Sequence, residues 1–295
     1  MAALAYIICA LVWGTTWFAI RVCIAPGGYP EFAAAALRFS IASVILLAIW
    51  ALGFARPGPR TRRQLAWMLA AGVANGGSYA LIYSAERHIP GGLTAVLFGT
   101  FPLVVAILAF ATRTERIHRA AVIGSLISVA GIAIVFSDRL RVSAEQAWAV
   151  AMVLVAVVLS AIYSVIVKRE AKDQHPLATT GAFLATTAVV LWIVSAFADA
   201  RAIPTTLPYE PTVALLYLGV IGSVLVFGAY FTLMKRVSLM TISTLVFLQP
   251  MIALVVDALW EHEVRLDLTA YLGGAVVLAG VAINVFSTAK RQRAL

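Results

Sequence analysis

Two ionisable side chains stand deep inside long apolar runs of this sequence, Arg38 and Asp257. A charge surrounded by hydrocarbon costs about 2.5–3.5 kcal/mol on insertion scales unless it is paired or hydrated. Each is therefore a candidate for holding a solute, for pairing with the other, or for satisfying backbone carbonyls. A second set is aromatic and polar. Asn75, Tyr79 and Tyr83 follow at four-residue steps with Ser78 beside them, so they share one helical face. A later stretch reads Ser223, Phe227 and Phe231 with Tyr230 alongside. Trp13 and Trp17 form another four-step pair, and Tyr163 lies in a further run. Such rings can stack on a flat or amphipathic solute. The same spacing also serves helix packing and interfacial anchoring.

Pro102 and Pro250 sit at equivalent places in two apolar runs. A proline inside a helix removes one hydrogen bond and clashes with the carbonyl four residues back, here Phe98 and Val246. In lipid a freed carbonyl is tolerated only against protein or a water-lined cavity. We read the pair as hinges beside a pathway, against ordinary kinked packing. The expected cavity then takes Asn75, Ser78, Tyr79, Tyr83, Phe98 and Gln249, with Trp17, Tyr163, Phe227, Tyr230 and Phe231 at its wall. Catalytic signatures are missing: the sequence has no HExxH, GxSxG or phosphate-binding loop. His88, His118, His175 and His262 all fall in loops or at run ends, and consecutive Glu261-His262-Glu263 point apart on a helix. No catalytic residue, metal site or cofactor is expected. A membrane-embedded enzyme acting on lipid, the alternative of a different class, would need a nucleophile, metal cluster or acid pair that these residues do not provide.

The elements that position these residues follow from composition. Of 295 residues, 62% are hydrophobic and only 12% charged, with a mean hydropathy of +0.97. Soluble domains sit near 45–50% apolar and about 25% charged, so lipid is the solvent. Apolar runs cover 2–22, 32–54, 65–85, 91–112, 120–137, 147–167, 177–198, 212–234, 239–260 and 268–287. Each is near the roughly 20 residues that span a bilayer. The expected fold is all-α: ten transmembrane helices with short loops and no room for a soluble domain. The net charge of +9 does not indicate nucleic acid, because the basic residues lie in the loops between runs. With the N-terminus in the cytoplasm, fifteen of the 22 Lys and Arg residues fall on the cytoplasmic side and six on the other, Arg38 being within a span. That bias orients both termini inward. The first run lacks the basic leader of a signal peptide and is read as a retained helix. Cys9 and Cys23 offer no disulfide framework.

The chain also repeats itself. Phe101-Pro102 to Glu115 parallels Gln249-Pro250 to Glu263, and Gly124 to Gly131 parallels Gly273 to Gly280, both glycine pairs ending in Ala-Gly. Pro30 and Pro176 correspond as well. The halves are 1–140 and 145–288, followed by a basic cytoplasmic tail, 289–295. Five helices per half is odd, so the second half must insert upside down. Inverted repeats place a substrate site near the midplane, between the halves.

On these residues the chain resembles the ten-helix EamA type of the drug/metabolite transporter superfamily. The resemblance rests on Val12-Trp13-Gly14-Thr15-Thr16, on Leu37-Arg38-Phe39 after Pro30, and on the two Pro-to-Glu segments with their following Ala-Gly pairs. It covers nearly the whole chain as two tandem units. The second unit departs from the pattern, with Ser160-Ala161 at the Trp-Gly position and an apolar stretch near Leu184 at the Arg position. The resemblance implies a secondary transporter of the inner membrane, exporting amino acids or other metabolites by alternating access. Within the superfamily the chain is similar to aromatic amino acid exporters, whose apolar cavity would suit the tyrosines and tryptophans above. Multidrug and nucleotide-sugar carriers are the alternatives of the same class. The expected partners are the lipid bilayer and a small-molecule substrate. The charge bias makes a topological prediction: a cysteine placed in the 290–295 tail reacts with impermeant maleimide only from the cytoplasmic side, and labelling from outside intact cells overturns the inverted arrangement.

Overall fold

The computed structural model describes residues 2–86, 88–89, 91–137, 146–260 and 268–292, and every regular element among them is helical. In chain order these are α1 (Ala2–Ile24), α2 (Glu31–Ala51), α3 (Arg62–Glu86), α4 (Gly91–Phe98), α5 (Phe101–Ala111), α6 (Arg119–Val135), α7 (Ala147–Glu170) and α8 (Pro176–Ala198). Then come α9 (Tyr209–Gly219), a π-helical segment (Val220–Leu225), α10 (Val226–Met234), α11 (Leu239–Ser243), α12 (Leu245–Trp260) and α13 (Leu268–Gln292). Among the described residues, nine helical stretches are long and apolar enough to cross a membrane, with α4–α5, α9–α10 and α11–α12 each counting as one. The remaining apolar helix, α6, has 17 residues. That gives it about 26 Å of length, at the lower limit for a span.

The distribution of polarity identifies the solvent. Phe110 is 74% exposed and Phe197 89%, whereas Arg38, Asn75, Ser125, Thr187 and Asn284 are buried. Apolar outside and polar inside is the reverse of a soluble protein, and it places this multi-pass chain in the bilayer.

Two of the expected spans are interrupted. The fourth stops at Phe98 and restarts at Phe101, with Pro102 in the first turn of α5. Proline is tolerated there because first-turn N–H groups have no intrahelical acceptor. Thr100 bridges the break, its hydroxyl donating to the Leu97 carbonyl at 2.7 Å. Pro250 differs: it lies within the continuous helix α12, and the break in that span falls earlier, at Thr244. The two prolines thus occupy unlike settings, and the expectation of matching mid-helix kinks is corrected. The eighth span contains the π segment, which the apolar pattern did not reveal, because an extra residue per turn leaves hydropathy unchanged.

Helix pairing is repetitive: the pairs that follow are antiparallel, except that α4–α5 runs parallel to α7 and α12 parallel to α1. The start of α2 meets the end of α8, where Asp199 accepts from the Phe32 and Ala33 N–H groups at 3.2 and 2.8 Å, and Trp192 Nε1 donates to Ser40 at 3.0 Å farther along. α3 runs against α7, and the α9–α10 span runs against α1. α4 and α5 lean on α7, as α12 leans on α1.

The tightest pairing joins α6 to α13. A Cβ on Gly124 would lie 2.6 Å from the Gly280 carbonyl oxygen, and one on Gly280 would lie 2.4 Å from the Gly124 oxygen. A Cβ on Gly131 would lie 2.9 Å from the Gly273 oxygen, and one on Gly273 would lie 2.8 Å from the Gly131 oxygen. The four repeat glycines therefore face each other in crossed pairs, and backbones approach where any side chain would intrude. Ser128 and Asn284 fasten the seam by donating to the Val277 and Ala121 carbonyls at 3.1 and 3.0 Å. Gly280→Ala should therefore destabilise the protein by about 1–3 kcal/mol through overpacking. Gly274→Ala, whose Cβ would meet nothing within 4 Å, should leave it unchanged. Thermal unfolding of the two variants in detergent checks this; equal midpoints would contradict it.

Candidate functional site

The sequence places aromatic residues on six different helices, and the fold gathers many of them into one column. At its middle, Phe227 on α10 meets Trp13 of α1 at 5.4 Å between ring centroids, Phe183 of α8 at 5.7 Å and Phe39 of α2 at 6.2 Å. Toward the α2 N-terminus the column continues through Tyr79 on α3, 5.0 Å from Phe39, to Tyr83 and Phe32. Toward the other end Tyr230 lies 5.0 Å from Trp13, and Tyr163 of α7 lies 5.2 Å from Phe183. Phe231 closes that side, 5.3 Å from Phe183 and 5.9 Å from Tyr230. Most of these pairs are tilted or edge-to-face, the arrangement ring quadrupoles favour. Within the column, the buried indole Nε1 of Trp13 has no hydrogen-bond partner among the described residues. A buried indole N–H normally finds an acceptor, so this unpaired donor is an exception inside the ring column.

Of the expected cavity residues, Tyr79, Tyr83, Tyr163, Phe227, Tyr230 and Phe231 join the column. Others do not. Asn75 turns to α8, donating to Thr187 Oγ1 at 3.1 Å, and Ser78 turns to α7, bonding to the Ala156 carbonyl and the Ser160 hydroxyl at 2.9 and 2.8 Å. Both are buried staples between helices. Gly72 and Gly76 let α8 approach, because a Cβ at either would strike Phe183 O at 2.5 Å or Val190 at 2.7 Å. Phe98 stacks on Phe101 in a separate cluster at 6.0 Å, across the break between α4 and α5. Trp17 is half-buried and makes no ring contact among the described residues, its place being taken by Trp13 one turn earlier. Gln249 is half-buried on α12, whose Leu248 and Ile252 pack against the column's cluster. Phe183 was missed: it lies in an apolar stretch without a partner at four-residue spacing, and only the helix arrangement brings it to the centre.

Arg38 is the buried cation beside the column, 2% exposed. Its Nε donates to Ser223 Oγ at 2.8 Å and its Nη2 to the Gly222 carbonyl at 2.9 Å, both in the π segment. The guanidinium also lies 5.1 Å from the Phe39 ring, a cation–π distance. The Ser223 hydroxyl in turn donates to the Leu218 carbonyl at 2.9 Å. The π segment thus presents polar groups to the arginine, where a regular helix would spend them internally. These are the partners of Arg38 among the described residues; the Asp257 side chain lies outside them, so the expected pairing of the two is not part of this geometry. The neighbouring Trp13-Gly14-Thr15-Thr16 stretch belongs to the same junction. A Cβ on Gly14 would meet Ile252 at 2.4 Å, Thr15 Oγ1 hydrogen-bonds the Tyr217 hydroxyl at 2.7 Å, and Thr16 packs on Gly222.

One end of the column is closed by a polar knot. Lys168 at the end of α7 donates to the Met234 and Val237 carbonyls and lies 3.2 Å from Glu115, whose other oxygen accepts from the Leu239 N–H at 2.8 Å. Glu115 precedes α6, so this knot joins the loop after α5 to the turn between α10 and α11. Among the described residues no group of three or more His, Cys, Asp or Glu side chains could hold a metal ion.

Arg38→Lys should cost about 1.5–3 kcal/mol, the scale of a charged hydrogen bond, because an ammonium cannot match the fork that meets Ser223 and Gly222 together. Ser223→Ala should cost less, since the Gly222 bond remains. Denaturation midpoints in detergent rank the two; a neutral Arg38→Lys would mean that the fork carries no stability.

The model of the EamA-like transporter family matches residues 1–137 and again 147–286. The chain is 29% identical over 297 residues to a protein of Streptantibioticus cattleyicolor described as a probable terminal-alkyne amino-acid exporter, covering 99% of this chain and 96% of that one. It is 26% identical to the uncharacterized inner membrane transporter YedA of Escherichia coli K12, covering 93% and 88% of the two chains, and 24% identical to protein PagO of Salmonella typhimurium, covering 97% and 94%. A solved crystal structure superposes with a TM-score of 0.82 at 19% identity, covering 98% of each chain, which shows a shared fold. With both family matches together spanning nearly all of its length, this chain belongs to the EamA-like transporter family.

Proposed function

We propose that the protein is a secondary transporter of the inner membrane that exports, or facilitates the flux of, neutral amino acids and related amphipathic metabolites, aromatic ones among them. The observation that carries this reading is the ring column with the unpartnered Trp13 donor inside it and the buried Arg38 beside it. An amino acid offers a carboxylate for such donors and a side chain for the rings. The name of the Streptantibioticus relative, an amino-acid exporter, agrees with this class. A nucleotide sugar fits less well: its phosphates call for several cations, and Arg38 is the buried cation among the described residues.

Alternating access is supported by the exchanged pairings. α3 on α7 has its counterpart in α9–α10 on α1, and the glycines of α6 and α13 meet in crossed pairs. Such swaps are what a two-fold axis in the membrane plane produces between halves 1–140 and 145–288. In this reading α6 also crosses the membrane, as the fifth of ten spans, and both termini are cytoplasmic. The Glu115–Lys168 knot closes the cytoplasmic end, and the Phe98–Pro102 and Thr244–Pro250 regions are the hinges. Flux in liposomes, with a panel of amino acids, tests the substrate class. Trp13→Ala and Tyr79→Ala should slow aromatic substrates about two- to tenfold more than threonine, the scale of one lost stacking contact. Equal losses for both substrates, in protein of normal yield and stability, would show that these rings only maintain the fold.

A further inference from the structure

A groove of about 880 Å³ runs along the outer face of the eighth span, away from the ring column. Its bed is apolar, formed by Val220, Ile221, Val224 and Leu225, and continues over the small residues Gly228 and Ala229. The other wall is the first turn of α8, where Leu177 reaches so close that a Cβ on Gly228 would meet it at 2.8 Å. Lys235, Arg236 and His175 gather at one end. From Val220 to Arg236 the groove extends about 24 Å at helical rise, somewhat more than one hydrocarbon leaflet of about 15 Å. The basic end is fixed in place. Lys235 donates to the Gln174 carbonyl, and His175 is held by its N–H donating to the Pro57 carbonyl at 2.6 Å.

We infer that this groove binds one anionic phospholipid, with its acyl chain along the Val220–Ala229 bed and its phosphate at Lys235 and Arg236. The argument is complementarity of shape and charge in one continuous recess. An apolar bed alone takes any lipid tail. Two exposed cations at the polar end, beside the N-terminus of a 23-residue helix, select a negative headgroup. Partial burial of the ammonium holds the Lys235 pKa below the usual lysine range, an effect that the Asp173 carboxylate nearby opposes. A phosphate would hold the ammonium charged in the same way. The π segment contributes as well, since it rotates Val220 and Leu225 outward, where they are 39% and 46% exposed. A bound lipid here would bear on the same helix that Arg38 holds from the inside, so occupancy bears on the column through that helix.

Native mass spectrometry of the purified protein tests this, with phosphatidylglycerol and phosphatidylcholine of identical chains. The expected result is tighter retention of phosphatidylglycerol, by about fivefold for each cation engaged. In Lys235→Gln/Arg236→Gln the two lipids should be retained equally. Ala229→Leu, which keeps the cations and fills the recess, should lose the high-affinity lipid; Thr232→Leu on the same face serves where Ala229→Leu lowers the melting temperature. Inorganic phosphate at matched concentration should not displace the lipid. Equal retention of the two lipids by the unaltered protein overturns the inference. So does a preference that survives the double substitution, unaffected binding in the filled variants, or displacement by phosphate alone. None of these outcomes depends on which solute the protein transports.

Discussion

Arg38 donating to Gly222 is the interaction around which the interior is organised. In hydrocarbon a polar group can be satisfied only by another part of the protein. The π segment and the guanidinium answer that constraint for each other. The segment turns a carbonyl and a hydroxyl toward α2, and the arginine supplies a planar pair of donors at 2.9 and 2.8 Å. The fit requires α9 to lie close to α1 and α2, which Gly219 and Gly222 permit: a Cβ on either would come within 3.0 Å of Ile41 or Thr16. Replacing the segment with regular helix would rotate Phe227 and Tyr230, one turn later, away from Trp13. The charge and the ring column are therefore linked through a single irregular element.

Elsewhere two kinds of contact divide the work of holding helices together. Glycine seams bring backbones into contact, most closely between α6 and α13, and dispersion acts there over short distances. Small hydroxyls and amides fasten helices beside or apart from such glycines, as Asn75 does to Thr187 and Ser78 to Ser160. Between helices already surrounded by apolar lipid, burying more apolar surface adds little, so these close approaches and polar staples carry the specificity. The column interior is of a third kind. Its rings meet one another in tilted and edge-to-face contacts. The Glu115–Lys168 knot ties the loop after α5 to the end of α7 and to the turn between α10 and α11.

Much of this was legible in the amino-acid order. Hydropathy marked the apolar helices to within a few residues, because a membrane helix must be apolar over its whole length whatever it packs against. The repeat glycines and the Pro-to-Glu spacing pointed to two related units; the family model matches residues 1–137 and 147–286. The aromatic stripe on α3 and the rings of α10 were visible through their four-residue spacing. Arg38 stood out because a lone cation in apolar sequence is costly and needs a reason.

What the sequence by itself determined is thus the solvent, the helices and the list of unusual residues; what each of those residues touches was decided only in three dimensions. Asn75 and Tyr79 stand on nearly the same face of α3, yet one staples α8 and the other enters the column, because neighbouring helices divide that face between them. Trp13 and Trp17 have the same spacing signal, and the crossing of α1 with α10 brings the first of them to the column. Phe183 carries no local mark at all and sits at the centre. The π segment hides from periodicity because hydropathy does not record backbone hydrogen bonding. Helical spacing is a local property that chemistry writes directly into the chain. Facing is a property of pairs of helices far apart in sequence, and it exists only once they have packed.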